Sequence, residues 1–193
     1  MIGAVILAAG ESKRMGGKKL ILEVKGKPII QWVVESFKGI VDDIVVVLGH
    51  EPETIIPLLR KLEVRWTINN KYMNGMASSF KEGLEKLKNC ESVFLALGDQ
   101  PFVDKEFLLK AIDAWRNQKA RIVSPVYKGK KGHPVLFDRS LFNEILSLDK
   151  QKTIRDIIHA HADELHLIET GKWAILDMDV PEDLTRFTSL DHP

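Results

Sequence analysis

Residues 4–19 constrain this chain more than any other stretch. Ala4-Val5-Ile6-Leu7-Ala8-Ala9 is a continuous apolar run. It is too short to span a membrane and reads as a strand buried on both faces of a parallel sheet. The run breaks at Gly10 into a loop that carries Gly10, Gly16 and Gly17 with Lys13, Arg14, Lys18 and Lys19. Glycines allow backbone to approach a ligand closely, and Arg14, Lys18 and Lys19 would face an anion at the strand's carboxyl end. A nucleoside triphosphate suits such a loop. A solvated basic turn is the plainer alternative, but the position directly after a buried first strand is where open α/β sheets bind ligands. A strand-end loop is also expected to be exposed, so substitution of Lys19 should cost little stability.

Two commoner glycine loops are excluded by spacing. A P-loop needs Gly-x-x-x-x-Gly-Lys followed by Ser or Thr, whereas Gly17-Lys18 is followed by Lys19 and position 12 is Ser12. A dinucleotide fingerprint needs Gly-x-Gly-x-x-Gly, whereas Gly10 is followed by Glu11 and Ser12.

The 193 residues suit one domain, spanning 1–193, with a substantial core. A net charge of +1 gives no bulk attraction to nucleic acid or to a membrane surface. The single cysteine, Cys90, excludes an internal disulfide framework and a multi-cysteine zinc site. The first apolar run has no basic region ahead of it and passes straight into the loop, so it does not read as a secretory signal. A cytoplasmic location is expected.

Further along, strands and helices alternate. Pro28 opens an amphipathic helix with Ile29, Ile30, Val33, Val34 and Phe37 on its apolar face. Residues 44–48, 64–68, 92–97 and 122–126 read as strands, and residues 53–62 (broken or started irregularly at Pro57), 77–88, 107–115, 141–148 and 153–160 as helices. A last strand is expected near residues 173–176. The β-α-β-α-β order argues for a three-layer α/β/α, Rossmann-like fold with a mostly parallel, mixed sheet.

Several polar stretches interrupt this order. Asn69-Asn70-Lys71-Tyr72-Met73-Asn74-Gly75-Met76 reads equally as a turn or as a ligand site. Gly98-Asp99-Gln100-Pro101 follows a buried strand. Asp99 there suits magnesium, which takes one or two protein carboxylates with phosphate oxygens and water, or simply a turn that caps the next helix. Lys128-Gly129-Lys130-Lys131 reads as an exposed basic hairpin turn. The adjoining His133 would alone be structural. His159, His161 and His166 lack any H-E-x-x-H spacing and read as surface or helix-end residues. Pro181, Glu182 and Asp183 make a helix start, while Asp177 and Asp179 precede that cap and need another reason.

Leu7-Ala8-Ala9-Gly10-Glu11-Ser12-Lys13-Arg14-Met15-Gly16-Gly17-Lys18-Lys19 resembles the LAAGxSxRMGxxK signature of small nucleotidyltransferases, closest to the molybdenum cofactor cytidylyltransferases and related to molybdopterin guanylyltransferases. Guanylyltransferases more often read LAGG, so Ala9 leans the resemblance to the cytidylyl branch. Three further motifs match in order: Ser79 ahead of Gly83-Leu84, Gly98-Asp99-Gln100-Pro101, and Gly132-His133-Pro134-Val135.

The resemblance implies transfer of CMP from CTP to the phosphate of molybdenum-bearing molybdopterin, with release of pyrophosphate. It implies Arg14, Lys19 and Asp99 as catalytic residues. Leu7, Ala8, Ala9, Gly10, Ser12, Gly16, Asn70, Gly75 and Ser79 would bind the nucleotide, with Ser78 an alternative to Ser79. Magnesium would sit on Asp99 and Asp179, with Asp177 as the alternative second ligand, and Gly132, His133 and Pro134 would bind the acceptor. Contact with molybdoenzymes is implied too. The chain departs from the pattern at Asp149-Lys150-Gln151-Lys152-Thr153, where a glycine-rich segment is usual, and at Val180, where threonine is usual. GTP as donor, a sugar or polyol phosphate as acceptor, and a non-catalytic carrier of the pterin cofactor are the rival readings.

Overall fold

In the computed structural model the described residues are 1–11 and 19–177. Ser12, Arg14, Gly16 and Asp179 lie outside them, as does the expected cap at Pro181. The strands are β1 (Ile2–Ala8), a two-residue pair β2 (Glu23–Val24) and β3 (Lys27–Pro28), β4 (Asp43–Leu48), β5 (Arg65–Ile68), β6 (Ser92–Leu97), β7 (Ile122–Tyr127), β8 (Lys130–Lys131), β9 (Val135–Asp138) and β10 (Leu165–Glu169). The helices are α1 (Ile29–Phe37), α2 (Ile56–Lys61), α3 (Met76–Lys86), α4 (Lys105–Gln118), α5 (Phe142–Ser147) and α6 (Ile154–Ala160).

One eight-stranded sheet runs in the order β10-β7-β9-β6-β1-β4-β5, with β8 added to β7. β1 lies inside the sheet, parallel to both of its neighbours, β4 and β6. β5 and β10 are parallel to their neighbours, whereas β9 runs antiparallel between β6 and β7. The sheet is therefore mixed and mostly parallel; the alternating pattern accounts for its parallel pairs, and the antiparallel β9 follows from the hairpin-like return after β7.

Strand periodicity divides the core in two. Ile2, Ala4, Ile6 and Ala8 of β1 join Ile44, Val46 and Leu48 of β4 on one face, under α1, α2 and α4. Val5 of β1 joins Val45, Val47, Val93 and Leu95 on the other, under α3, α5 and α6. Successive strand residues point to opposite faces, so a strand apolar at every position needs helices on both sides. α3 lies directly on the sheet. A Cβ at Gly83 would come within 2.4 Å of Val5 Cγ1 and 2.8 Å of Val47 Cγ2.

The basic hairpin forms as expected, with Lys128 and Gly129 both at positive φ between β7 and β8. The expected strand at 173–176 does not form. Lys172–Ile175 is a short 3-10 turn, and the strand beside β7 is β10 instead. Two contacts account for the turn. The Trp173 ring packs edge-on against Phe107 at 5.5 Å between centroids, and the Ala174 carbonyl accepts the His133 amide at 3.0 Å rather than joining a ladder.

Candidate active site

The carboxyl ends of β1 and β6 open into a cavity of about 440 Å³. Leu7, Ala8, Ala9 and Gly10 line it from β1, Asp99 from β6, and Gly75 and Ser79 from the start of α3, with Lys19 alongside. The structure thus brings together eight of the residues singled out in the sequence. Asp177, the alternative second metal ligand, lines it too, with Tyr72, Met76, Leu20 and Leu97.

Each contributor has a local cause. β1 and β6 are parallel neighbours in register, and the Gly98 amide donates to the Leu7 carbonyl at 2.8 Å, so both strands end at one level. Gly75 precedes α3 with φ of 93° and ψ of −179°, a conformation essentially confined to glycine. Among the described residues a Cβ at Gly10 would meet nothing within 4 Å, which leaves room for a ligand on that side. Asp104 caps α4 by accepting from the Glu106 amide, which leaves Asp99 without that duty.

Lys19 differs from its expected setting. It is 6% exposed rather than solvated, and its Nζ lies 2.7 Å from Asp99 Oδ2. A substitution there disturbs a buried ion pair, so the expectation of a small stability cost does not hold. Asp99 Oδ1 carries no protein hydrogen bond among the described residues.

Asn70 is exposed and outside the cavity lining. The neighbouring Asn69, 5% exposed, holds the loop instead. Its Nδ2 donates to Ser78 Oγ at 2.9 Å and to Ser79 Oγ at 3.0 Å, and its Oδ1 accepts from the Lys71 amide. Tyr72, also missed, is half-buried against the cavity with its hydroxyl 3.4 Å from His50 Nδ1. Aromatic residues in a polar strand-end loop were the signal available for it.

Gly132, His133 and Pro134 do not line the cavity but pack beside it. Burial pushes the His133 imidazole below its ordinary value, while the Leu95 carbonyl and Asp99 oppose that shift. Its Nδ1 is buried with no hydrogen-bond partner among the described residues. His161 has the structural role expected of it at the end of α6, bonded to Glu164 at 3.0 Å and Glu144 at 2.8 Å. The described residues contain no cluster of three or more metal-ligating side chains.

A mixed, mostly parallel sheet flanked by helices, with basic and acidic side chains meeting at its carboxyl edge, defines the nucleotide-diphospho-sugar transferase type of α/β domain. The chain belongs to the MobA-like NTP transferase domain family, whose model matches residues 4–165. It is 35% identical over 131 residues to the "Probable molybdenum cofactor guanylyltransferase" of Natranaerobius thermophilus, a match covering 66% of this chain and 62% of that protein. A protein of the same name from Aquifex aeolicus is 25% identical over 195 residues, covering 97% of this chain and 90% of that one. Among solved structures, Rv0371c from Mycobacterium tuberculosis H37Rv superposes with a TM-score of 0.82 over 99% of this chain and 100% of that chain, at 24% identity. That likeness shows the fold. The same protein has also been solved in complex with manganese, at a TM-score of 0.80 and 22% identity, covering 98% of this chain and 99% of that one.

Proposed function

We propose that this chain, as one nucleotidyltransferase domain, transfers CMP from CTP to the phosphate of molybdenum-bearing molybdopterin and releases pyrophosphate. The observation that carries the reading is the single cavity shared by Leu7–Gly10 backbone, Gly75, Ser79, Lys19, Asp99 and Asp177. An oxygen of the acceptor phosphate attacks the α-phosphorus, and the bond to the β-phosphate oxygen breaks as pyrophosphate leaves. The attacking oxygen is already anionic, so no general base is needed. Positioning and charge stabilisation dominate such transfers.

Lys19, with Arg14 from the preceding loop, offsets charge on the triphosphate and on the leaving pyrophosphate. Gly10 and Gly75 present open backbone, and Ser79 with its Asn69 partner supplies hydrogen bonds for the base. The residues present fit a divalent cation: two carboxylates reach one cavity, and among the described residues Asp99 Oδ1 carries no hydrogen bond. Magnesium suits such a site, held by Asp99 and by Asp177 or Asp179, and supplies Lewis-acid stabilisation at the phosphates. Manganese in a protein of the same fold supports a divalent ion here. In this reading Gly132, His133 and Pro134 bind the acceptor, from beside the cavity rather than from its lining. A cytoplasmic enzyme that meets molybdoenzymes fits this chemistry, and no helix among the described residues is long and apolar enough to cross a membrane.

A second reading, GTP as donor, is favoured by the relatives named guanylyltransferase. Against it stands Ala9, buried in the cavity wall where guanylyltransferases more often carry glycine. The test is calorimetric titration with CTP and GTP, followed by pyrophosphate release with molybdopterin as acceptor. A site built to hydrogen-bond one base discriminates strongly against another. Preference for CTP supports the cytidylyl reading, and preference for GTP replaces it.

A further inference from the structure

Asp99 reaches the cavity from the end of a strand, but Asp177 does not. It follows the short turn Lys172–Ile175, and no ladder fixes its position. We propose that Gln100 and Gly132 are positioning residues that hold Asp177 at the cavity it shares with Asp99. The proposal rests on the nucleotidyl-transfer reading and assigns these two residues a task distinct from acceptor contact.

Gln100 is the residue directly after Asp99 and is 4% exposed. Its Nε2 donates to Asp177 Oδ1 at 2.7 Å. One side chain thus ties the second carboxylate to the backbone that carries the first. The donated N–H also offsets part of the charge on the Asp177 carboxylate that accepts it. Its own amide nitrogen donates to the Leu97 carbonyl at 3.3 Å, so the tie is anchored at the end of β6.

Gly132 works from the other side. Its backbone is not in the left-handed region, so a side chain is excluded by space rather than by φ. A Cβ would lie 2.0 Å from the Ala174 carbonyl oxygen and 2.6 Å from its carbon. Those are backbone atoms three residues before Asp177, and they cannot yield without moving the turn. The next amide, His133 N–H, donates to that same carbonyl at 3.0 Å. Gly132 is itself fixed, its amide donating to the Pro125 carbonyl at 2.9 Å. The absent side chain at 132 is what lets the turn dock closely enough for Asp177 to meet Gln100.

The test is manganese binding, followed by the electron paramagnetic resonance signal of the free ion with no nucleotide present. Gln100→Leu keeps volume and removes the donor, and Gly132→Ala inserts the clash. Losing a residue that orients a metal ligand typically weakens affinity about 10- to 100-fold, and each variant should lose binding in that range. Gln100→Leu added to Asp177→Asn should weaken binding no further than Asp177→Asn alone, because the first acts through the second. Ala174→Gly should not rescue Gly132→Ala, since the clash is with backbone. Should Gly132→Ala fail to fold by circular dichroism, Gln100→Leu still decides the matter. Variants that bind manganese as tightly as the unsubstituted protein, or additive losses in the double variant, overturn the positioning role alone. An unsubstituted protein that binds no manganese overturns the metal site itself and the positioning role with it.

Discussion

Replacing Lys19 by methionine keeps an apolar stem of similar length and deletes the ammonium. That ammonium lies 2.7 Å from Asp99 Oδ2, with the two side chains 7% and 26% exposed. Removing one partner of a fully buried ion pair costs about 3–5 kcal/mol, because the other charge is left without compensation. A quarter of the Asp99 side chain reaches solvent and recovers some hydration, so Lys19→Met should cost about half of that range, roughly 2 kcal/mol. For a chain of this size the melting temperature should fall by about 4–8 °C. Asp99→Asn takes the carboxylate away from the more buried of the two side chains and should cost at least as much as Lys19→Met. The double variant replaces the pair by neutral groups of similar shape and should lie within about 1 kcal/mol of the unsubstituted protein. Urea and thermal melts of the four proteins at neutral pH, without nucleotide, complete the cycle. A Lys19→Met variant that melts with the unsubstituted protein, or two single effects that simply add, would refute the reasoning, since contacting charges must show coupling.

Two further outcomes are expected. Gly83→Ala should cost about 1–3 kcal/mol by overpacking α3 against the stiff Val5 and Val47 side chains, whereas Gly10→Ala, which meets nothing within 4 Å among the described residues, should change stability by less than about 0.5 kcal/mol; thermal melts of both variants check the contrast. Glu164 and Glu144 raise the His161 pKa above its ordinary value. Its contribution is therefore complete below about pH 6.5 and lost as pH rises through the raised folded value. The stability gap between the unsubstituted protein and His161→Gln should be larger near pH 5.5 than near pH 8, and a gap that does not change with pH removes the linkage.

The sheet was legible because its central strands are apolar at nearly every position, a pattern that only burial on both faces explains. β10 was not, because His166 and Glu169 at the sheet's edge dilute its pattern. Residues 173–176 misled for the opposite reason: their apolar character serves contacts to Phe107 and to the loop at 132–133, not a ladder. At the cavity, the strand end at residues 8–10 has a local signature, whereas Ser79 and Asp99 stood out through the resemblance to nucleotidyltransferase motifs. Lys19 could not be read as buried, because its partner lies 80 residues away. Gln100 is similar, meeting Asp177 across 77 residues. Asn69 lost to Asn70 in the reading because a one-residue difference in which amide turns inward has no local marker.

β1 is hydrogen-bonded on both sides along its length, with β4 and β6 themselves covered. Amide hydrogens of such a strand exchange with solvent only when the whole domain opens. The floor of the cavity at Leu7 and Ala8 therefore belongs to the slowest-exchanging part of the molecule. The opposite wall, from Tyr72 to Met76, carries Met73 at 79% exposure and rests on one turn of 3-10 helix. A nucleotide spanning the two ties a wall that opens locally to a floor that does not. The protection gained on binding then concentrates in that wall, and the ordering it requires is entropy drawn from the affinity.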